Sequence, residues 1–467
     1  MNTLIKKLKL ENIKTLALYS PFYIMLLCFI TIFSWITNES ALGISILLII
    51  ASIVLMINKD ILPMMPCLIY SIYCTANNKI LESSQNMALM IFSCIILVGA
   101  IIGHIILYPP KFKLFKLTIP LILVSLALMI GGLGNISFKN YLNSITFILS
   151  LGLLMLVLYY FISLYLAPPK SVDSKKYLCY IILFLGLVVF IETTVTMIRL
   201  DKPLIELMRN LLDVGWGNRN GIAMTLVLCS PIIFYLGFSS HKVLAYFYYL
   251  FSYILYLVTL FIFSRAGILA GTIAMFVLTI YSLAKGCNKS SLVYAIASIA
   301  ILVAIIMLTE KDFVLKVIEK IEEYFSSGSS GRNYLYKEAL ALFLKYPLFG
   351  AGLGYIGNMF DVPPFCIYWF HSTPFQIIGC MGIVGIIAYS IFYIARGVIM
   401  FSNLKQFNIV LSIAIIGFEI HSMFDTGTFT PFPYMFIIIF LTAFLEYNNK
   451  QEETFIDLVD LKDLKAK

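Results

Sequence analysis

Long apolar runs follow one another along the chain, separated by short polar breaks. A helix needs about 20 apolar residues to cross the hydrocarbon core of a bilayer. About fourteen runs approach or reach that length: 16–36, 41–57, 61–76, 87–108, 114–131, 141–166, 176–198, 220–238, 243–263, 266–285, 290–308, 374–399, 407–424 and 431–447. The run at 61–76 is the weakest, being short and carrying Pro63 and Pro66. The residues are 61% hydrophobic and only 12% charged, which excludes a soluble globular domain of this length. The runs are continuous, not alternating, which argues against a transmembrane barrel. The expected fold is all-α: a polytopic integral membrane protein with about 14 transmembrane helices and a large extracytoplasmic loop carrying amphipathic helices.

Charge placement orients these spans. A net charge of +9 would suggest nucleic acid only if its distribution were ignored. Most lysines fall in short loops, where positive charge sets topology. With the N-terminus inside, the cytoplasmic segments collect Lys6, Lys7, Lys9, Lys14, Lys59, Lys111, Lys113, Lys116, Lys170, Lys175, Lys176, Lys242, Lys285, Lys289, Arg396, Lys405 and the C-terminal lysines. The first run has no small-residue cleavage pattern and reads as an anchor, not a removed signal peptide. The organisation expected is 1–308 as helices 1–11, 309–373 as the large outer loop, 374–447 as helices 12–14, and 448–467 as a cytoplasmic tail. Both termini then lie inside. Arg199, Arg209, Arg219, Arg265 and Arg332 fall outside, where topology has no use for them, and Arg199 and Arg209 fit contact with lipid headgroups equally well. Arginine is the better bidentate partner for phosphate oxygens.

Two outer segments exceed simple turns. Asp201–Gly221 has the spacing of a short amphipathic helix and ends in a glycine-broken turn at Gly215–Gly217. In the 309–373 loop, Glu310–Phe325 suits a helix lying in the interface. Arg332–Tyr346 reads as a second amphipathic helix, stopped by Pro347. Loops of this length in a compact protein are usually functional.

Few residues are suited to chemistry. His371, in WFHSTPF at the mouth of a span, has the ordinary range of a general base. His104 and His241 read as structural, and His421 as a packed histidine. Asp425 follows His421 by one helical turn and is placed to orient His371 or an arginine, to position an acceptor sugar hydroxyl, or equally to end the helix in solvent. Glu192 and Glu419 are carboxylates in apolar spans, suspects by default or partners of a nearby polar group. Gly350, Gly352, Gly354 and Gly357 lack a preceding strand and a GKS/T, so neither a dinucleotide fold nor a P-loop is indicated. They fit close packing better. The nine cysteines show neither disulfide-framework nor metal spacing, and there is no HExxH and no DxD in an outer loop. No metal site or cofactor is expected.

The combination resembles the bacterial O-antigen ligase and O-antigen polymerase superfamily of membrane glycosyltransferases. His371-Ser372, nine residues, then Gly382-Ile383-Val384-Gly385 is similar to that family's H-[N/S/Q]-x9-G-x-x-G pattern. Arg332 followed by Tyr346-Pro347-Leu348-Phe349-Gly350-Ala351-Gly352 resembles its R…hPlfGxG approach. Ser264-Arg265-Ala266-Gly267 resembles its SRgg span start, with Ala266 where many members have glycine. Asn218-Arg219-Asn220-Gly221 is a looser match. The resemblance spans roughly 215–425 and implies transfer of a glycan from undecaprenyl pyrophosphate, without metal, on the outer face of the cytoplasmic membrane. It implies His371 as the base on the acceptor hydroxyl, Asp425 as an acidic site residue, and Arg265, Arg332 and Arg219 as the grip on the donor pyrophosphate. The implied partners are the lipid-linked glycan donor, a glycan or lipid acceptor, the bilayer and a candidate chain-length regulator, with no nucleic acid. A polymerase of repeat units, giving O-antigen, capsular or related surface polysaccharide, is the first reading. A ligase passing the glycan to a lipid or wall acceptor is the second. A transporter or flippase would want more ionisable residues in the spans than His104, Glu192, Glu419 and His421.

Overall fold

A computed structural model describes residues 14–76, 83–200, 212–286, 288–309, 332–357 and 367–465, together with Leu315, Ile318, Glu319 and Glu322. Among the described residues the architecture is all helical, with one isolated bridge between Asp213 and Asn218. Eleven segments are long and apolar enough to cross a membrane, by length and composition. Three shorter apolar helices, Pro21–Ile36, Leu62–Tyr73 and Thr118–Ile130, stand at the remaining expected spans. Proline sets the shape of one of these: Pro63 lies in a 3-10 turn and Pro66 in the first helical turn after it, where no N–H is missed. The Glu310–Phe325 helix and most of the Asp201–Gly221 segment lie outside the described residues.

The chain divides into two compact units, residues 1–111 with 165–320, and residues 112–164 with 321–467. Unit 1 holds α1 (Pro21–Ile36), α2 (Ser40–Ile57), α3 (Met65–Tyr73), α4 (Ser84–Leu107), α8 (Ser174–Arg199), α9 (Arg219–Ser239), α10 (Lys242–Phe261), α11 (Arg265–Lys285) and α12 (Lys289–Thr309). Its centre is α9, whose apolar window is 94% buried, against 11% for α12. Lipid tails supply no hydrophobic drive between helices, so close packing and hydrogen bonds must hold them. A Cβ on Gly237 would stand 2.4 Å from the Tyr249 ring, and one on Gly267 would stand 2.7 Å from Ala223 Cβ. Buried hydroxyls reach carbonyls of neighbouring helices, as Tyr70 does to Ile181 at 2.8 Å. His104 contacts the Leu55 carbonyl at 2.8 Å and packs edge-on against Tyr165, a structural role.

Unit 2 holds α5 (Thr118–Ile130), α6 (Phe138–Leu149), α7 (Met155–Tyr165), α13 (Arg332–Lys345), α14 (Thr373–Phe401), α15 (Gln406–Met423) and α16 (Phe436–Lys465). A π turn at Ser150–Leu154 joins α6 and α7. Helix α14 is broken at Gly382, whose φ of 58° and ψ of −146° no helix contains. Such a break orphans backbone groups, each costing several kcal/mol in lipid. The segment after α13 satisfies them. The N–H groups of Ala351 and Gly352 donate to the carbonyls of Gly379 and Cys380 at 2.8 and 2.9 Å. In return Ile383 and Val384 donate to Pro347 and Leu348 at 2.8 and 3.2 Å. A Cβ on Gly382 would lie 2.4 Å from the Pro347 oxygen, and one on Gly350 2.4 Å from the Cys380 carbonyl carbon. The glycines of PLFGAG and GIVG are therefore two halves of one backbone joint.

Arg396, counted with the cytoplasmic cations, lies within the run expected at 374–399, near the end of α14. It is 3% exposed and pairs with Glu419 of α15 at 2.6 Å. Its guanidinium also lies over the rings of Phe392 and Tyr393, at 5.1 and 5.0 Å.

Candidate active site

Three helix ends in unit 2 carry the outer-loop candidates. Arg332 opens α13, His371 stands just before α14, and Asp425 follows α15. The Arg332 guanidinium donates to the Phe424 carbonyl, which ties the start of α13 to the end of α15. The Thr373 N–H donates to the Asp425 carbonyl at 3.2 Å, tying the start of α14 to the same point. His371 Nδ1 lies 3.5 Å from Asp425 Oδ1, the outer limit of a hydrogen bond. The imidazole is 43% exposed and the carboxylate 15%, so the pair opens to one side.

The charges agree with this geometry. Burial on its own would raise the Asp425 carboxyl. The adjacent His371 imidazole, the nearby His421, the Thr426 N–H at 2.8 Å and Arg332 together outweigh it and hold the group down at about 2. Asp425 is thus ionised at every physiological pH. Tyr336, one turn after Arg332, reaches the His371 carbonyl at 3.5 Å and stacks on Phe375 with centroids 4.3 Å apart. Burial raises its hydroxyl above the ordinary value, so it stays a protonated donor at neutral pH. Among these groups the imidazole is the one suited to take a proton.

His371 also carries backbone strain. Its φ of 51° is left-handed, a region that disfavours side chains. Among the described residues the other non-glycine residues with positive φ are Asn38 and Phe263. Phe263 directly precedes Ser264-Arg265. Strain of this kind gathers at functional sites.

Arg219 and Arg265 lie in unit 1. Each opens a helix, α9 and α11, behind a capping side chain: Asn218 accepts from the N–H groups of Asn220 and Gly221, and Ser264 from Gly267. The Ser264 hydroxyl donates to Asn220 Oδ1 at 3.0 Å, which joins the two first turns. A cation at a helix N-terminus opposes the dipole and becomes favourable once an anion binds there. The turn before Arg219 is pinned from below. Trp216 donates to Glu192 at 2.6 Å, and Gly215 has a φ of 90° with Ala76 backbone where a Cβ would stand. Glu192 therefore has the polar partner that one of its two readings required.

Arg332, His371 and Asp425 thus meet in unit 2, while Arg219 and Arg265 share one end of unit 1. Sequence reasoning passed over Tyr336 and Gln376. The signal for Tyr336 was its i, i+4 spacing from Arg332, which puts both on one helix face. An apolar cavity of about 450 Å³ lies beside the site, lined by Thr373, Ile377, Tyr389, Tyr393 and Glu419 among others.

The molecule is a polytopic helical membrane protein whose unit 2 brings together Arg332, a strained histidine and an ionised carboxylate. Residues 249–390 match the family model described as O-antigen ligase. The match takes in Arg265, Arg332 and His371; it is consistent with the O-antigen ligase and polymerase superfamily and supports a glycan-transfer function at a membrane. Arg219 and Asp425 lie outside the matched residues. No curated protein matches the chain.

Proposed function

We propose that the protein polymerises undecaprenyl-pyrophosphate-linked oligosaccharide repeat units into O-antigen, capsular or related surface polysaccharide, at the outer face of a bacterial cytoplasmic membrane with both termini inside. The observation that carries this reading is the meeting of Arg332, His371 and Asp425 at the joined ends of α13, α14 and α15. Ionised Asp425 holds Nδ1–H of the imidazole and leaves Nε2 for the acceptor hydroxyl. As the acceptor oxygen bonds to the anomeric carbon, its proton passes to Nε2. The bond from that carbon to the phosphate oxygen breaks, and undecaprenyl pyrophosphate leaves with the electron pair. Pyrophosphate is a stabilised leaving group, so a general acid is dispensable. Arg332 acts where its charge develops, without a metal, and Arg265 and Arg219 are the phosphate-binding candidates of unit 1. The apolar cavity beside Thr373 suits the lipid chain of such a donor. A single displacement inverts the anomeric carbon, and a product with retained configuration would overturn this mechanism.

A second reading is favoured by the family description itself: transfer of the lipid-linked glycan to a separate lipid or wall acceptor. Purified protein in liposomes with an undecaprenyl-pyrophosphate oligosaccharide distinguishes the two. A ladder of longer lipid-linked products without added acceptor supports the polymerase. One product that forms only when a separate acceptor is added makes it a ligase.

A further inference from the structure

Gln376 lies on the first turns of α14, is 0% exposed and takes no part in the chemistry just described. A buried carboxamide must find partners for an acceptor and two donors. Its Oε1 accepts from the Phe370 N–H at 2.9 Å, and its Nε2 donates to the Tyr368 carbonyl at 2.9 Å. The same nitrogen lies 3.3 Å from Cys380 Sγ, and the Gln376 N–H donates to the Ser372 carbonyl at 2.8 Å. One side chain therefore grips the main chain on both sides of Trp369, in the stretch that ends at His371. Two further contacts hold that stretch. Glu338 of α13 accepts from the hydroxyls of Tyr355 and Tyr368 at 2.7 and 2.8 Å. The Phe370 ring is 0% exposed and lies where a Cβ on Gly379 would stand 3.2 Å away.

We propose that Gln376 is a positioning residue for His371: its carboxamide fixes the backbone at Tyr368 and Phe370, and so maintains the left-handed turn that presents the imidazole to Asp425. A free segment would relax from a φ of 51° to an extended or helical one and swing the ring away. The inference rests on the base role proposed for His371, but its hold on the ring is separable from that role.

The test uses the full-length protein in detergent, carbethoxylated with diethyl pyrocarbonate and read site by site by mass spectrometry. His241 is exposed and serves as an internal reference, while His104 and His421 are 0% exposed. In Gln376→Met the ratio of His371 to His241 labelling should change severalfold. In Gln376→Glu, whose carboxyl keeps its proton in so buried a place, both main-chain bonds re-form and the ratio should return to the wild-type value. An unchanged ratio in Gln376→Met, or an equal change in both variants, overturns the proposal. Turnover adds a second readout. Gln376→Met should lower kcat by about 100-fold with KM for the lipid-linked oligosaccharide kept, the scale of a small misplacement at a reacting centre. Should that variant fail to fold, Gln376→Glu decides alone: its kcat should fall as pH rises and the carboxyl ionises, and a pH profile parallel to wild type overturns the inference. An active His371→Ala would remove the base role, while the labelling ratio would still decide what Gln376 holds.

Discussion

Helices α14 and α15 and their ends carry two basic–acidic pairs that differ in distance, in burial of the basic partner and in backbone strain. Arg396 and Glu419 meet at 2.6 Å inside the helices, with 3% and 21% exposure and two aromatic rings under the guanidinium. His371 and Asp425 stand at the helix ends, 3.5 Å apart, with the imidazole 43% exposed on a left-handed backbone. The first pair is short and built into the packing. The second is looser, on strained backbone, and open on the imidazole side. The two pairs thus set a buried packing contact beside an exposed one suited to chemistry.

The contrast can be broken at either pair. His371→Ala should cost about 10²–10⁴ in kcat, the usual worth of a positioned base, while the thermal midpoint in detergent stays near wild type because the ring is half exposed. The reverse pattern is expected at the other pair. Arg396→Met leaves the Glu419 charge without its partner and should destabilise by about 3–5 kcal/mol, with kcat per folded molecule retained. The double change Arg396→Met with Glu419→Leu should recover most of that loss, read by the same melting experiment. Arg332→Ala comes next, at about 10²–10³ in kcat, and Arg332→Lys should restore little, because a point charge cannot reproduce the planar fork. Kinetics that show Lys replacing Arg fully would remove the bidentate grip from the account.

The smallest effect belongs to Asp425 and is a matter of pH. Its carboxyl is held from the ordinary 3.8 down at about 2. A depressed group stabilises the fold above the unfolded value and loses that contribution as pH falls through the folded one. The contribution, about 2 kcal/mol, is therefore constant above pH 5 and disappears between about pH 4 and pH 2. Acid melting curves of wild type and Asp425→Asn should converge in that window. Curves that stay parallel to pH 2 would show that the carboxylate is not held as described.

Much of the fold was legible, because a bilayer demands about 20 apolar residues per crossing and the chain spells them out. The helix Arg332–Lys345 and its stop before Pro347 were equally plain. The break at Gly382 was not, since it sits inside an apolar run with nothing local to mark it. The glycines of 350–354 read correctly as close packing, but the surface they close against lies at Gly379–Val384, and only the folded chain shows it. Of the site, His371, Arg332 and Asp425 were named from position and resemblance. Their meeting depends on three helix ends distant in sequence. Gln376 and Tyr336 are uncharged and sit among apolar neighbours, where composition gives no reason to single them out. The pairing of Arg396 with Glu419 was not legible either, because the carboxylate is on another helix.

The account turns on His371. The most direct measurement reconstitutes wild type and His371→Ala in liposomes at matched folded concentration, with an undecaprenyl-pyrophosphate oligosaccharide, and follows lipid-linked products with time. The expected result is glycan transfer by wild type and loss of about 10²–10⁴ in rate for a variant that still folds. A folded His371→Ala that transfers glycan at the wild-type rate would contradict the account and leave the strained histidine a structural residue.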